Sequence, residues 1–118
     1  MSEITKLYEN AGVLKECLSP CYINETWRKT HDCPNCDNRE NYPPFTAEKQ
    51  IELIKWLSDT DYYIYNIYKT IDTKEYCIEN CYYDIQTNKF EETLARLINK
   101  LWADMSEEEK QQVKGILE

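Results

Sequence analysis

The chain reads as one α+β domain: a small antiparallel sheet of two or three strands packed with three or four helices. Three observations predict this. Apolar residues recur at helical spacing near both ends of the chain and again after a pair of prolines. A run dense in tyrosine and isoleucine, Tyr62 to Thr70, is followed by a second alternating stretch, which is the pattern of paired strands. A length of 118 residues leaves room for one core.

The first helix is expected from about Glu3 to Asn10. Ser2 can cap it, and Ile4, Leu7, Tyr8 and Ala11 share one face. Gly12 stands where a left-handed residue would end it. Residues 1–41 form the irregular, cysteine-bearing part of the domain. A short strand is expected there over Tyr22 to Arg28. Tyr42-Pro43-Pro44-Phe45 separates this part from residues 42–118, a helix-hairpin-helix-helix core, because paired prolines cannot continue a helix.

Thr46 caps the next helix, which runs to about Leu57 with Glu48 in its first turn. Ala47, Ile51, Ile54 and Leu57 make its expected inner stripe, flanked by Leu53 and Trp56. Tyr62 to Thr70 is the first strand of the hairpin, Ile71 to Glu75 its turn, and Tyr76 to Gln86 the antiparallel second strand. Alternation along that second strand sets Tyr76, Ile78, Asn80 and Tyr82 against Cys77, Glu79, Cys81, Tyr83 and Ile85. Thr87 and Asn88 turn the chain. A strongly amphipathic helix then carries Phe90, Leu94, Leu97, Ile98 and Leu101 inward, widened by Trp102. The last helix starts at Ser106, whose capping box is completed by Glu109, and turns Val113, Ile116 and Leu117 inward.

Composition narrows the function classes. Hydrophobic residues at 42% and charged residues at 31% are ordinary for a globular chain. No stretch reaches the roughly 18 apolar residues of a membrane span, and Met1 to Lys6 lacks a signal-peptide pattern. A cytoplasmic location is therefore expected. The net charge of −8 opposes direct binding of nucleic-acid phosphate. Between Asp59 and Glu92 eight acids stand against three lysines. This is either a solvated face or one that docks on a basic protein.

His31-Asp32-Cys33-Pro34-Asn35-Cys36 is the densest set of metal-compatible residues. Cys33 and Cys36 can reach one zinc ion at about 2.3 Å each, with Cys17 and Cys21 completing four ligands and His31 able to replace one. A structural zinc would give this loop-rich part folding energy. Reduced, unligated thiols are the competing expectation, with disulfides only in an oxidising compartment. Cys77 and Cys81, four apart in the expected strand, would stand about 13 Å from each other. Small buried hydrophobes are the better reading for them.

Seven of the ten tyrosines (Tyr62, Tyr63, Tyr65, Tyr68, Tyr76, Tyr82 and Tyr83) fall on or beside the two strands, on both faces. Helices on one face only would leave several exposed beside acids, which suits a protein-binding surface. Helices on both faces would bury most of them. The residues expected to meet a partner are Asp59, Asp61, Tyr63, Tyr65, Asp72, Glu75 and Tyr83. No catalytic set is visible: one histidine offers no convincing triad, and two glycines rule out a phosphate-cradling loop.

From Tyr42-Pro43-Pro44-Phe45-Thr46-Ala47-Glu48-Lys49-Gln50 through Ile54-Lys55-Trp56-Leu57, Phe90-Glu91-Glu92-Thr93-Leu94-Ala95 and Leu101-Trp102 before Ser106-Glu107-Glu108-Glu109, the chain resembles short proteins of bacteriophages and prophages. Some of these are grouped as a small phage α/β sandwich family. The resemblance covers Tyr42 to Leu117 and brings no functional residue with it. It implies an acidic accessory protein, anti-defence or anti-CRISPR-like, that binds and inhibits or modulates a host protein such as a defence nuclease. A homo-oligomer stays open. The alternative from another class is a zinc-stabilised structural or adaptor module without inhibitory role.

Overall fold

Each helix start foreseen from a Ser or Thr cap is found in the computed structural model, which describes residues 2–13 and 42–118 in full and residues 16–23 and 26–30 by their backbone alone. Helix α1 spans Glu3–Ala11. The Ser2 side chain accepts from the Thr5 N–H, and Gly12 closes the helix at φ 73°, a left-handed conformation in which a Cβ would be strained. In α2, Ala47–Ser58, Thr46 accepts from the Lys49 N–H. In α4, Glu107–Leu117, the capping box of Ser106 and Glu109 is complete in both directions. Helix α3, Phe90–Leu101, has no side-chain cap and passes into a short 3-10 turn at Trp102–Asp104.

Strands β1 (Glu16–Ile23) and β2 (Thr26–Thr30) pair antiparallel as a sheet of their own. The strand expected over Tyr22 to Arg28 thus straddles a hairpin. Tyr22 and Ile23 end the first strand, and Thr26, Trp27 and Arg28 begin the second.

The main sheet holds β3 (Ile64–Lys69), β4 (Tyr76–Asn80) and β5 (Asp84–Thr87), antiparallel in that order. The stretch from Tyr76 to Gln86 is therefore two strands rather than one. Asn80 breaks it. Its side-chain oxygen accepts from the N–H groups of Tyr82 and Tyr83 at 2.9 and 2.8 Å, while its own N–H donates to the Tyr83 carbonyl. An asparagine that satisfies the backbone two and three residues ahead makes a tight turn where a strand would otherwise continue. The turn resets the alternation, so Ile78 and Ile85, expected on opposite faces, lie directly across from each other. Cys81 is exposed in the turn rather than buried in a strand, while Cys77 is buried as expected.

The core lies between one face of this sheet and the helices. Helix α3 packs on β4 and β5, α1 packs on α3 and α4, and α2 on α4 and β3. Leu94, Leu97, Ile98 and Leu101 of α3 meet Leu7, Leu53, Leu57, Ile78, Val113 and Leu117, all fully buried. Each such side chain contributes roughly 1.5–3 kcal/mol of transfer free energy. The inner stripe of α2 is rotated from the expected one. Leu53 and Leu57 carry it, with Ile54 and Trp56 half-buried, while Ile51 is 52% exposed. The Lys49 ammonium donates to the Leu117 carbonyl at 2.8 Å and the Trp56 indole N–H to Gln112 at 2.6 Å. Those tethers to α4 fix which side of α2 faces in.

Polar joints complete the packing. Buried Thr93 sits mid-helix facing the sheet, and its hydroxyl pairs with that of Thr87 at 2.7 Å while donating to the Lys89 or Tyr76 carbonyl. The Glu3 N–H, an orphan donor of the first turn of α1, reaches the Glu92 carboxylate at 2.9 Å, and Asn99 donates to the Glu3 carbonyl. These bonds set α1 against α3.

Candidate functional site

Register assigns every strand residue of the sheet to a face. Ile67, Ile78 and Ile85 form one row across the three strands, on the helix side. Tyr68, Cys77 and Gln86 form the neighbouring row on the other side, and Asn66, Glu79 and Asp84 the next. The Asn66 amide donates to the Glu79 carboxylate at 2.8 Å, as a same-face pair should. On this second face Asn66, Tyr68, Asp84 and Gln86 are exposed and Glu79 half-buried. It is an open face, and those six positions carry no lysine or arginine.

Tyr65 joins it. The ladder slips between Ile64 and Asn66, and the irregularity turns Tyr65, 59% exposed, toward Glu79 and Asp84. Partial desolvation and then these two carboxylates raise its phenol above the usual value. The Tyr68 phenol is raised too, first by its hydrogen bond with the Cys77 thiol and then by Glu79. In both, the neighbouring carboxylates add to a larger local cause. Beside it, Tyr65, Asn80, Cys81, Tyr82, Tyr83 and Asp84 line a shallow, polar hollow of about 210 Å³.

The residues singled out from the sequence do not all gather here. Tyr63 and Tyr65 are exposed beside the open face or on it. Asp59 caps the end of α2 and Asp61 follows it, both exposed, ahead of β3. Asp72 and Glu75 lie in the turn beyond β3. A six-residue strand spans about 20 Å, so these four acids flank the strand from opposite ends instead of forming one cluster. Tyr83 lines the hollow but is half-buried against the core, with the Lys100 ammonium 5.7 Å from its ring centre. Glu79, Asp84 and Tyr68 were not singled out. Their common face became visible only once the turn at Asn80 had set the phase of β5.

Cys33, Cys36 and His31 lie outside the described residues, as do the side chains of Cys17 and Cys21. Among the described residues no group of three or more His, Cys, Asp or Glu side chains could hold a metal ion, and no helix is long and apolar enough to cross a membrane.

A second hollow of about 240 Å³ lies between α1 and α3, lined by Glu3, Lys6, Arg96, Asn99 and Lys100. Its polar groups largely serve each other. Asn99 donates to Glu3 and accepts from Asn10, and Arg96 stands 3.5 Å from Glu3.

Comparison with protein-family models, curated proteins and solved structures gives no match to this chain. Chemically, the open face can offer flat rings to stack on, carboxylates to pair with cations, and the amides of Asn66 and Gln86.

Proposed function

We propose that this chain is an acidic, phage-type accessory protein that acts by binding, and that it inhibits or modulates a host protein of the nucleic-acid-binding kind, a defence nuclease being the natural example. The observation that carries this reading is the open sheet face, where Tyr65 and Tyr68 stand beside Glu79 and Asp84 with no cation among them. Tyrosine gives large contact area at little entropic cost. Carboxylates around it suit a partner whose own surface is basic because it ordinarily meets phosphate.

The test is capture from a bacterial lysate with the full chain, followed by mass spectrometry, comparing wild type with the double variant Glu79→Lys, Asp84→Lys. Retention of a basic partner by wild type and its loss from the variant is the expected result. Equal retention by both removes the open face from the mechanism. The flanking acids Asp59, Asp61, Asp72 and Glu75 steer approach, and reversing them is expected to slow association more than it speeds dissociation.

A further inference from the structure

The edge of the sheet adds a second kind of contact, in an inference that rests on the reading of the open face just given. The Thr70 N–H donates to the Glu75 carbonyl at 2.8 Å, which makes these two residues a hydrogen-bonded pair of the β3–β4 hairpin. Hydrogen-bonded and non-hydrogen-bonded pairs alternate along an antiparallel ladder. The register then makes Tyr68–Cys77 a bonded pair, and Ile67–Ile78 and Lys69–Tyr76 unbonded ones. The N–H and C=O groups of Ile67 and Lys69 therefore point away from β4. Among the described residues no strand lies beyond them, since β3 is an outer strand of the sheet.

The side chains along this edge are unequal. Ile67 belongs to the helix-side row, yet it is 44% exposed where Ile78 is fully buried, because α3 packs mainly on β4 and β5. Lys69 is on the same helix side as Ile67, facing Tyr76 with its ammonium 5.0 Å from that ring centre. The bulge at one end and Lys69 at the other are the devices that guard sheet edges against indiscriminate pairing. They leave the middle of β3 without a neighbouring strand among the described residues, a length suited to a short visitor.

We infer that the free edge of β3 takes up a short extended segment of the partner protein, antiparallel, bonded to the backbone of Ile67 and Lys69, with apolar side chains beside Ile67 and arginine or lysine side chains over Tyr68 and Tyr65 toward Glu79. Charge selects this occupant and its orientation. The segment's cations are drawn to the face that carries Glu79 and Asp84 and repelled from the face that carries Lys69. A second copy of this chain fits less well. Its β3 would bring Tyr65, Asn66 and Tyr68 to the open face, leaving the carboxylates of both copies without a cation.

The segment's apolar residues lie opposite Ile67, so their N–H groups, not those of the basic residues, would bond to the edge. The probe is therefore a blocked octapeptide of alternating valine and arginine, titrated into the full ¹⁵N-labelled chain. Two companions carry N-methyl groups on the valines or on the arginines. The expected result is saturable binding with shifts at the Ile67 and Lys69 amides and at least tenfold slower hydrogen exchange there. N-methylation at valine should weaken binding at least tenfold, and N-methylation at arginine should weaken it less than threefold. Equal binding of all three peptides overturns strand addition while leaving the charged face intact. So does a failure of the unmodified peptide to bind. Protection of Ile67 and Lys69 without peptide, together with a dimer by sedimentation, overturns the assigned occupant. The lysate comparison with Glu79→Lys, Asp84→Lys reads the face independently of the edge, so each claim fails by its own result.

Discussion

The two faces of the β3–β5 sheet are built from the same strands and differ only in what lies above them. On the helix side, exposure falls along one row from Ile67 through Ile78 to Ile85, from 44% to 0% and 4%. On the open side, the corresponding row of Tyr68, Cys77 and Gln86 is exposed at both ends and buried only in the middle. The first face is held by an amphipathic helix. No helix among the described residues covers the second, and the residues that remain there are those that tolerate water: rings with hydroxyl tips, amides and carboxylates. A polar face on an antiparallel sheet is ordinary. Three tyrosines (Tyr63, Tyr65 and Tyr68) are exposed at or beside strand positions that carry carboxylates and no lysine or arginine.

The contrast can be broken most directly along its own rows. Ile78→Ala is expected to cost 2–5 kcal/mol in urea unfolding, because a fully buried site loses both transfer energy and packing. Ile67→Ala, in the same row, should cost less than about 1 kcal/mol, since cutting back a half-exposed side chain leaves no enclosed cavity. Comparable losses at the two positions would mean that the helices cover the whole sheet.

Tyr8 sharpens the comparison from the other side, as a tyrosine kept from water. It is 1% exposed, stacked on Tyr42 at 5.1 Å between ring centres and met edge-on by Phe45. Its hydroxyl finds no hydrogen-bond partner among the described residues. Burial pushes its phenol up to about 12. Because the unfolded phenol ionises near 10, this burial carries no ionisation cost below pH 10, and stability falls as pH rises from 10 to 12. The amount is about 2–3 kcal/mol. Tyr8→Phe should abolish that part of the alkaline loss, and at pH 7 it should be neutral or stabilising by up to about 1 kcal/mol. A marked loss of stability in the variant at neutral pH would reveal a partner for the hydroxyl.

Asn80→Ala is expected to cost about 2 kcal/mol in the same denaturant assay, since it strips the Tyr82 and Tyr83 N–H groups and the Tyr62 carbonyl of their partner in one step. Shifts confined to the turn would leave the faces in place. Loss of Ile67 and Ile85 contacts would show that the turn also holds the register. The smallest effect lies on the open face. Glu79→Gln with Asp84→Asn should lower the Tyr65 phenol in an ultraviolet titration and leave the part of its upward shift that comes from desolvation. An unchanged titration would place these carboxylates away from the ring.

Much of the architecture was legible in the sequence because it rests on local chemistry. Ser2, Thr46 and Ser106 mark helix starts through bonds that span three residues, and Gly12 marks an end through its own φ. The spacing from Phe90 to Leu101 selects one face of α3 with no help from elsewhere. The split of Tyr76 to Gln86 was less legible. Asn80 is a turn residue only when its side chain bonds ahead, and the same alternation fits one long strand or two short ones. The candidate site suffered most from this. Glu79 and Asp84 share a face because a turn of a few residues shifts β5 in phase.

What the amino-acid order settled alone was the acidic surface, the helix boundaries and the α+β class, since each follows from residue type and spacing within a few positions. Tertiary structure decided which face of the sheet stays wet, which side of α2 turns inward and which strand is left at the edge. Those outcomes depend on how far α3 reaches across the strands and on bonds such as Lys49 to Leu117, between residues far apart in sequence. No local pattern encodes the reach of one helix over another element.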